Sequence, residues 1–429
     1  MKKINLLFLV VLCISLDMQA QQSDLLLRYR SMAVEYNHDL KAAGKNVAAS
    51  IELEKAAQKD LMPKLSGDAD FQYTGNPIRL TLDLPSFQHP LTVEGRSVKY
   101  ATSLSLMQPV YAGGRLLENI KMARHQQNLA VHQADYLRSA ICYQTDMQYW
   151  NTVARAEIVQ VATDYRNSIA SLVRTIRERV EAGWIDKQDL LMAEVKLNAA
   201  EYQLSQAKSK LETSRMALNS LIGIELKNET EVDDTIPPVV WDDNVIGSDG
   251  RNRPELQIAN DRIRIAESSQ KLTDSRYKPQ LYLGIEGSYA SPGYDFRADP
   301  DPNYGVYAKL SVPLFEWGKR KNEKRASSFL VNAATDNLNQ VNDRIKLEIE
   351  TARASLVKAM EEVNLTASSL EKAKENERLA LERYSDGKTS VVEVIEAQNY
   401  RQISQTNFVE AKISAQGYYS ELVKALNNY

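Results

Sequence analysis

The sequence predicts a mainly α-helical chain that also carries a few membrane-spanning β-strands. Three observations predict it: two proline-free helical stretches far longer than a globular core needs, four short runs of apolar/polar alternation, and a pattern that occurs twice along the 429 residues. The clearest local mark is the octapeptide Gln108-Pro109-Val110-Tyr111-Ala112-Gly113-Gly114-Arg115, where alternation stops and helical periodicity begins. Val312-Pro313-Leu314-Phe315-Glu316-Trp317-Gly318-Lys319 has the same order of proline, apolar residue, aromatic, then glycine and a basic residue. Proline cannot donate to a strand ladder and so belongs at the strand's end, while glycine lets the backbone turn from extended to helical. Pro109, Gly113 and Gly114 thus mark one strand-to-helix joint, and Pro313 and Gly318 the other.

The first element is an address. Lys2 and Lys3 precede the apolar run Ile4 to Leu16, and Met18-Gln19-Ala20 ends in the small residue a signal peptidase needs, so residues 1–20 read as an export signal. Cys13 lacks the small residue expected just before a lipidated cysteine, so a lipoprotein is the weaker reading. Cys142 then remains alone, a small packed residue in mid-helix without an internal disulfide partner. The 53 basic and 56 acidic residues nearly cancel, leaving no signature of nucleic-acid binding. No later stretch approaches the roughly 20 apolar residues of a membrane helix. A chain of this kind crosses a bilayer with strands or not at all.

Internal repetition is the strongest signal. The segment from His38 to Pro63 matches that from Pro254 to Pro279 at an offset of 216 residues; from the joints onward the offset is 204, and it holds for Gly183 and Gly387. The first copy carries 12 more residues between its two strands, so helix length is kept while a loop varies. The strands follow by alternation. Leu65, Gly67, Ala69, Phe71 and Tyr73 oppose Lys64, Ser66, Asp68, Asp70 and Gln72; Leu281, Leu283, Ile285, Gly287 and Tyr289 oppose Tyr282, Gly284, Glu286 and Ser288. The runs Tyr100–Leu106 and Tyr304–Val312 alternate likewise. Each has about the 9 to 11 residues of a transmembrane strand. A half-buried soluble sheet alternates in the same way, but Tyr and Phe near the strand ends and the export signal favour the membrane. Four strands cannot close a barrel, and lipid forbids an open edge. Copies must pool strands, giving eight in a dimer or twelve in a trimer.

From Gly114 to about Ala182 no proline intervenes, and at about 1.5 Å per residue such a helix reaches on the order of 100 Å. Leu116, Ile120, Ala123, Ala130, Ala134, Leu137 and Ile141 form a coiled-coil seam. Past Gly183, a return helix steps by three and four through Leu190, Ala193, Leu197, Ala200, Leu204, Ala207, Leu211, Ser214, Leu218 and Leu221. Its counterpart runs from Val394 to Ala425 with one charged interruption, Arg401. Between the copies, Glu225 to Arg253 holds Pro237-Pro238, Gly247 and Gly250; it breaks the helical pattern and reads as a girdle across the helices. The loops Asn76–Lys99 and Ser291–Asn303 face outward, and Asp299-Pro300-Asp301-Pro302-Asn303 reads as an exposed turn rather than a calcium site.

The export signal, the two tandem copies, the joints, and the turn Gly-x-x-Ser-x-x-Glu-Val-Ile-Glu-Ala beginning at Gly387 together resemble the TolC family of outer-membrane efflux proteins, over essentially the whole mature chain. The resemblance implies a homotrimer with a shared 12-stranded β-barrel, four strands per chain, in the outer-membrane lipid, continued by a long α-helical coiled-coil tunnel in the periplasm. It implies residues 21–224 and 253–429 as two efflux repeats around a linker at 225–252. It further implies a passive exit duct of a tripartite efflux or type I secretion system, served by a periplasmic adaptor (membrane fusion) protein and an inner-membrane pump of RND, ABC or MFS type. Gly183 and Gly387 would be the helix-turn tips. In the family, acidic residues at the positions of Glu393 and Glu396 ring the tunnel entrance as gate and selectivity filter. Here they are glutamates, one methylene longer than aspartate. Asp189 matches Glu393 in the first copy, and Met192 replaces the second acid.

Other residues point to no chemistry. His125 and His132 are seven apart and His38 and His89 remote, so no metal-ligand spacing exists. No catalytic triad, phosphate loop or supported carboxylate pair occurs, so neither catalysis nor a cofactor is expected. Lys319, Arg320, Lys321, Lys324 and Arg325 read as a charged helix surface, with lipid head groups as the alternative partner. The competing function is a periplasmic or surface coiled-coil scaffold without a pore.

Overall fold

The computed structural model describes residues 23–82, 90–240, 250, 252–293, 299–427 and 429. The export signal, Cys13, His89 and part of the linker lie outside the described residues. In chain order the elements are α1 (Asp24–Tyr36), α2 (His38–Lys59), β1 (Lys64–Tyr73), β2 (Arg79–Leu82), β3 (Leu91–Glu94), β4 (Val98–Ala112), α3 (Arg115–Glu181) and α4 (Lys187–Ile222). After these come α5 (Pro254–Ser275), β5 (Gln280–Ser291), β6 (Asp301–Ser311), α6 (Lys319–Ser385) and α7 (Val391–Ala425). The chain forms two compact units. One draws on the described parts of Met1–Lys45, Val131–Ile258 and Asn339–Tyr429, the other on Asn46–Ala130 and Ala259–Leu338.

The second unit holds an antiparallel sheet in the order β1-β4-β5-β6. Its two hairpins share one register. β1 meets β4 from Lys64↔Met107 to Tyr73↔Val98, and β5 meets β6 from Gln280↔Ser311 through Tyr289↔Pro302. Lys64 and Gln280 are 216 residues apart and Met107 and Ser311 are 204 apart, the same two offsets that relate the copies in sequence. The extra residues of the first loop include the two-stranded sheet of β2 and β3. This differs from the plain loop expected there; Arg79-Leu80-Thr81-Leu82 and Leu91-Thr92-Val93-Glu94 do alternate, but only over four residues each, the shortest run that signals a strand. β6 begins at Asp301, so Pro302 and Asn303 belong to a strand and not to an exposed turn; an edge strand tolerates the missing N–H of Pro302.

The long helices α3 and α6 both have 67 residues. In the first unit they pack with α4 and α7 through three clusters of buried side chains. One joins Leu26, Tyr29 and Ala33 of α1 to Tyr149, Trp150 and Val153 of α3 and Leu218 and Ile222 of α4. Along α4 from Leu190 to Ser214 the buried seam residues are the small ones, Ala193, Ala200, Ala207 and Ser214, seven apart, with Leu190, Leu197, Leu204 and Leu211 only half-buried; beyond them Leu218 is buried too. Small residues at heptad spacing let helix backbones approach closely.

The linker leaves α4 through Gly223, whose φ of 75° closes the helix. Fully buried Asn219 holds the first residues of the linker, its Nδ2 donating to the carbonyls of Glu225, Leu226 and Asn228 at 2.9–3.2 Å while Oδ1 accepts from the Thr230 hydroxyl. Beyond Thr230 the chain crosses the helices. Tyr29 Oη donates to Glu231 O (2.7 Å), Asp233 N to Tyr149 Oη (3.3 Å) and Gln416 Nε2 to Pro237 O (2.8 Å). Each bond satisfies a backbone group that neither helix nor sheet would.

Candidate functional site

Both long helices end the same way. At α3, Gly183 (φ 75°) donates to Val180 O (3.0 Å) and Trp184 N to Arg179 O (2.9 Å); at α6, Gly387 (φ 74°) donates to Tyr384 O (3.1 Å) and Lys388 N to Arg383 O (2.9 Å). These paired bonds form the Schellman closure, whose left-handed residue is glycine because a Cβ is disfavoured there. Each return helix then starts on a capped turn. In α4, Asp186 accepts from Gln188 N at 3.1 Å; in α7, Ser390 Oγ accepts from Glu393 N at 3.4 Å. Beneath the turns, Tyr165, Ile169, Leu172 and Ile176 of α3 pack with Tyr384, Val391, Val394 and Ile395. The Arg179 guanidinium lies 4.5 Å from the Tyr384 ring centroid and donates to the carbonyls of Tyr384 (3.2 Å) and Ser385 (3.4 Å), placing a cation at the negative end of α6.

Glu393 and Glu396 are both exposed on the first turns of α7, and Asp189 is half-buried at the start of α4. Glu393 has a local role that sequence reasoning missed. Its carboxylate accepts from the hydroxyls of Thr389 and Ser390 while Ser390 caps its N–H, so Ser390-Val391-Val392-Glu393 is a capping box. The Thr389 hydroxyl bond holds the Glu393 carboxyl below the usual glutamate range. The cap is therefore complete above that range and is lost as pH falls through the depressed value. Glu396 has no such bond among the described residues and projects only charge.

Deeper in the bundle, Arg401 of α7 meets Glu377 of α6 at 2.6 Å, and Ser168 of α3 donates to the other Glu377 oxygen at 3.2 Å. Gln398 Nε2 donates to Ser168 Oγ at 2.7 Å, tying three helices together. In the sequence Arg401 shows only as an interruption of its seam, and its partner was missed. The signal lay in α6, where Leu370, Glu377 and Tyr384 recur every seventh residue and Glu377 is 5 % exposed. A glutamate in one seam calls for a cation in the facing one.

The joints differ from each other. Pro109 lies within β4, which continues to Ala112, so it is not the strand's last residue. Past Met107 β4 has lost its β1 neighbour, and a register shift between Pro109 and Tyr111 absorbs the missing donor. Gly113 and Gly114 then turn with φ of 65° and 87°. At the second joint Pro313 comes after the end of β6, and the turn is made by Trp317 (φ 48°) and Gly318 (φ 80°). Of the basic group after it, Arg320 pairs with Asp274 at 3.1 Å and Lys319 lies within 4.0 Å of Glu316 and Glu323. Among the described residues, no helix is long and apolar enough to cross a membrane, and no three His, Cys, Asp or Glu side chains are placed to hold a metal ion.

The outer membrane efflux protein family model matches residues 29–224 and again 248–428. The chain belongs to this family. Among relatives in the family, the solvent efflux pump outer membrane protein SrpC of Pseudomonas putida is 22% identical over 411 residues, covering 94% of this chain and 84% of that one. The cobalt-zinc-cadmium resistance protein CzcC of Cupriavidus metallidurans is 24% identical over 333 residues, covering 74% and 73%. The fold is that of solved outer-membrane channels. The outer-membrane channel OprN matches with a TM-score of 0.78 at 16% identity over 95% of this chain and 91% of its own, and the Campylobacter jejuni CmeC outer membrane channel with 0.75 at 18% over 94% and 85%.

Proposed function

We propose that three copies of this chain form a twelve-stranded barrel in the outer membrane and a helical tunnel in the periplasm, each copy contributing two structural repeats. The assembly is a passive exit duct. Cargo reaches it from an inner-membrane pump through a periplasmic adaptor, and the chain supplies no catalysis. The observation that carries this reading is the sheet itself, whose outer strands β1 and β6 present an unclosed apolar face. Phe71 and Val306 are each 73 % exposed, and Leu65, Tyr73, Tyr304 and Leu310 also stand exposed. Such a face suits lipid, and lipid requires that both edges be paired by another copy. Membrane fractionation tests the reading. The chain should stay with the outer membrane until detergent is added and then run as a trimer, whereas a soluble monomer would indicate a coiled-coil scaffold instead.

In this assembly Glu393 and Glu396 form acidic rings at the periplasmic entrance, with Asp189 contributing a further carboxylate from the first copy; Gly183 and Gly387 shape the tips. Replacing Glu393 and Glu396 together by glutamine should lower the cation preference of single-channel conductance in planar bilayers. Glutamine also serves in a capping box, so the start of α7 is preserved and the charge alone is removed. Unchanged selectivity would sink the acidic filter.

A further inference from the structure

The two hairpins of the sheet obey one internal symmetry, and its consequences extend beyond one chain. The offsets of 216 for the first strand of a hairpin and 204 for the second convert the β1–β4 register into the β5–β6 register, pair by pair. The same offsets also act on the remaining contact, β4 with β5. They turn β4 into β6 and β5 into β1, which stand at opposite edges of the sheet, so the equivalent contact joins β6 of one copy to β1 of the next. We propose that β6 and β1 of neighbouring copies pair antiparallel with Lys309 opposite Asp70 and Glu316 opposite Lys64, and that these two charge pairs set the register of the seam. The inference rests on the shared-barrel reading above and assigns the contact that closes it.

Three observations support this register. First, it keeps the two faces of the barrel apart. Leu310, Ala308 and Val306 fall opposite Ala69, Phe71 and Tyr73 on the apolar face, while Ser311, Lys309 and Tyr307 fall opposite Asp68, Asp70 and Gln72 on the other; a slip of one residue would bring Lys309 against Ala69 or Phe71. Second, the charges arise only at the seam. Inside the chain the equivalent pairs are Ser105↔Glu286 and Ala112↔Gln280, neither of them an ion pair. A slip of two residues one way sets Lys309 against Asp68 and Glu316 against Met62; the other way sets them against Gln72 and Ser66. Only the proposed register sets both Lys309 and Glu316 against an opposite charge, adding to the contacts that Lys64 makes with Asp60 (2.9 Å) and Glu316 with Lys319 (4.0 Å) on the exposed surface. Opposite charges directly across a ladder favour their own alignment. Hairpins are aligned by their turns, whereas a seam between separate chains has only its side chains to align it.

Third, β6 stops early. It ends at Ser311, the equivalent of Met107, where β1 support of β4 also ends. β4 continues to Ala112 because β5 flanks it on the other side. A neighbouring β1 would extend β6 through Glu316 in the same way. The equivalence ends at the joint, because Gly113 comes so close to Ser275 and Lys278 that its counterpart Trp317 could not make the same approach to another copy. Trp317 is 90 % exposed in the single chain and stands just past the proposed Glu316–Lys64 pair.

Disulfide cross-linking tests the register in the full-length protein, with Cys13 and Cys142 changed to serine. Directly opposed residues have Cα atoms about 4.5–5.5 Å apart, within disulfide reach, whereas diagonal neighbours at about 7–8 Å are not. Lys309→Cys combined with Asp70→Cys should shift most of the oxidised membrane protein to covalent trimer on denaturing gels. Lys309→Cys with Asp68→Cys should leave it as single chains. Tyr307→Cys with Gln72→Cys provides a second in-register pair should the first fail to assemble. Equal or stronger linking by the diagonal pair, or no linking by either in-register pair in a protein that still runs as a trimer in detergent, overturns the register. A monomer in detergent would instead remove the shared barrel and the seam with it.

Discussion

Replacing Asp146 by asparagine is expected to cost the fold about 3–5 kcal/mol, the range measured when one member of a buried ion pair is removed. Asp146 of α3 has no exposed surface, and both of its oxygens accept from Arg30 of α1 at 2.6 Å. The Tyr429 hydroxyl lies 3.0 Å from the same carboxylate, and the Arg30 guanidinium stands 4.9 Å from the Tyr429 ring. Asparagine fits the space but brings no charge to balance the guanidinium, which is only 13 % exposed. The double change Arg30→Met with Asp146→Leu removes both charges and should melt above either single variant, because burying two apolar side chains avoids the desolvation cost. Thermal melts in detergent micelles read the order directly. A double variant no more stable than Asp146→Asn would mean that packing, not charge, holds α1 to α3.

The buried ion pairs explain why part of this fold was legible and part was not. Whatever depends on spacing along the chain could be read: strands from alternation, the 67-residue helices from proline-free stretches of equal length in the two copies, and left-handed glycines from their place after a helix. Arg30 and Asp146 are 116 residues apart and Ser168 and Glu377 are 209 apart, so no local pattern announces either contact. Asn219 likewise looks like an ordinary helical residue until the linker folds back on it. Glu393 failed in the opposite direction. Its Ser-x-x-Glu box is readable within four residues, while the family pattern singles it out only as a charge. The local bond and the charge are compatible, since a carboxylate fixed by two hydroxyls is a better-placed ring member than a free one. The seam of α4 shows a further limit. Periodicity ranks its leucines and alanines alike, while the single chain buries the alanines and leaves Leu190, Leu197, Leu204 and Leu211 partly uncovered, with surface to spare for a neighbouring helix.

The first joint carries a stability difference between two adjacent glycines. Gly113→Ala is expected to destabilise the joint by about 2–5 kcal/mol: about 1–2 for an alanine in left-handed backbone and about 1–3 for forcing atoms into a filled space. Its Cβ would lie 2.5 Å from the Ser275 carbonyl oxygen and 2.9 Å from Lys278 Cβ, and the first of these is backbone that cannot swing away. Gly114 has the larger φ, 87°, but a Cβ there would meet nothing within 4 Å. Gly114→Ala should therefore show only the conformational part, about 1–2 kcal/mol. The difference between the two variants isolates the close approach of β4 and α3 to the end of α5, which fixes the angle at which strand becomes helix. Melting temperature and trimer yield in detergent should fall further for Gly113→Ala than for Gly114→Ala. Equal losses would mean that the turn itself, not the contact with Ser275 and Lys278, governs the joint.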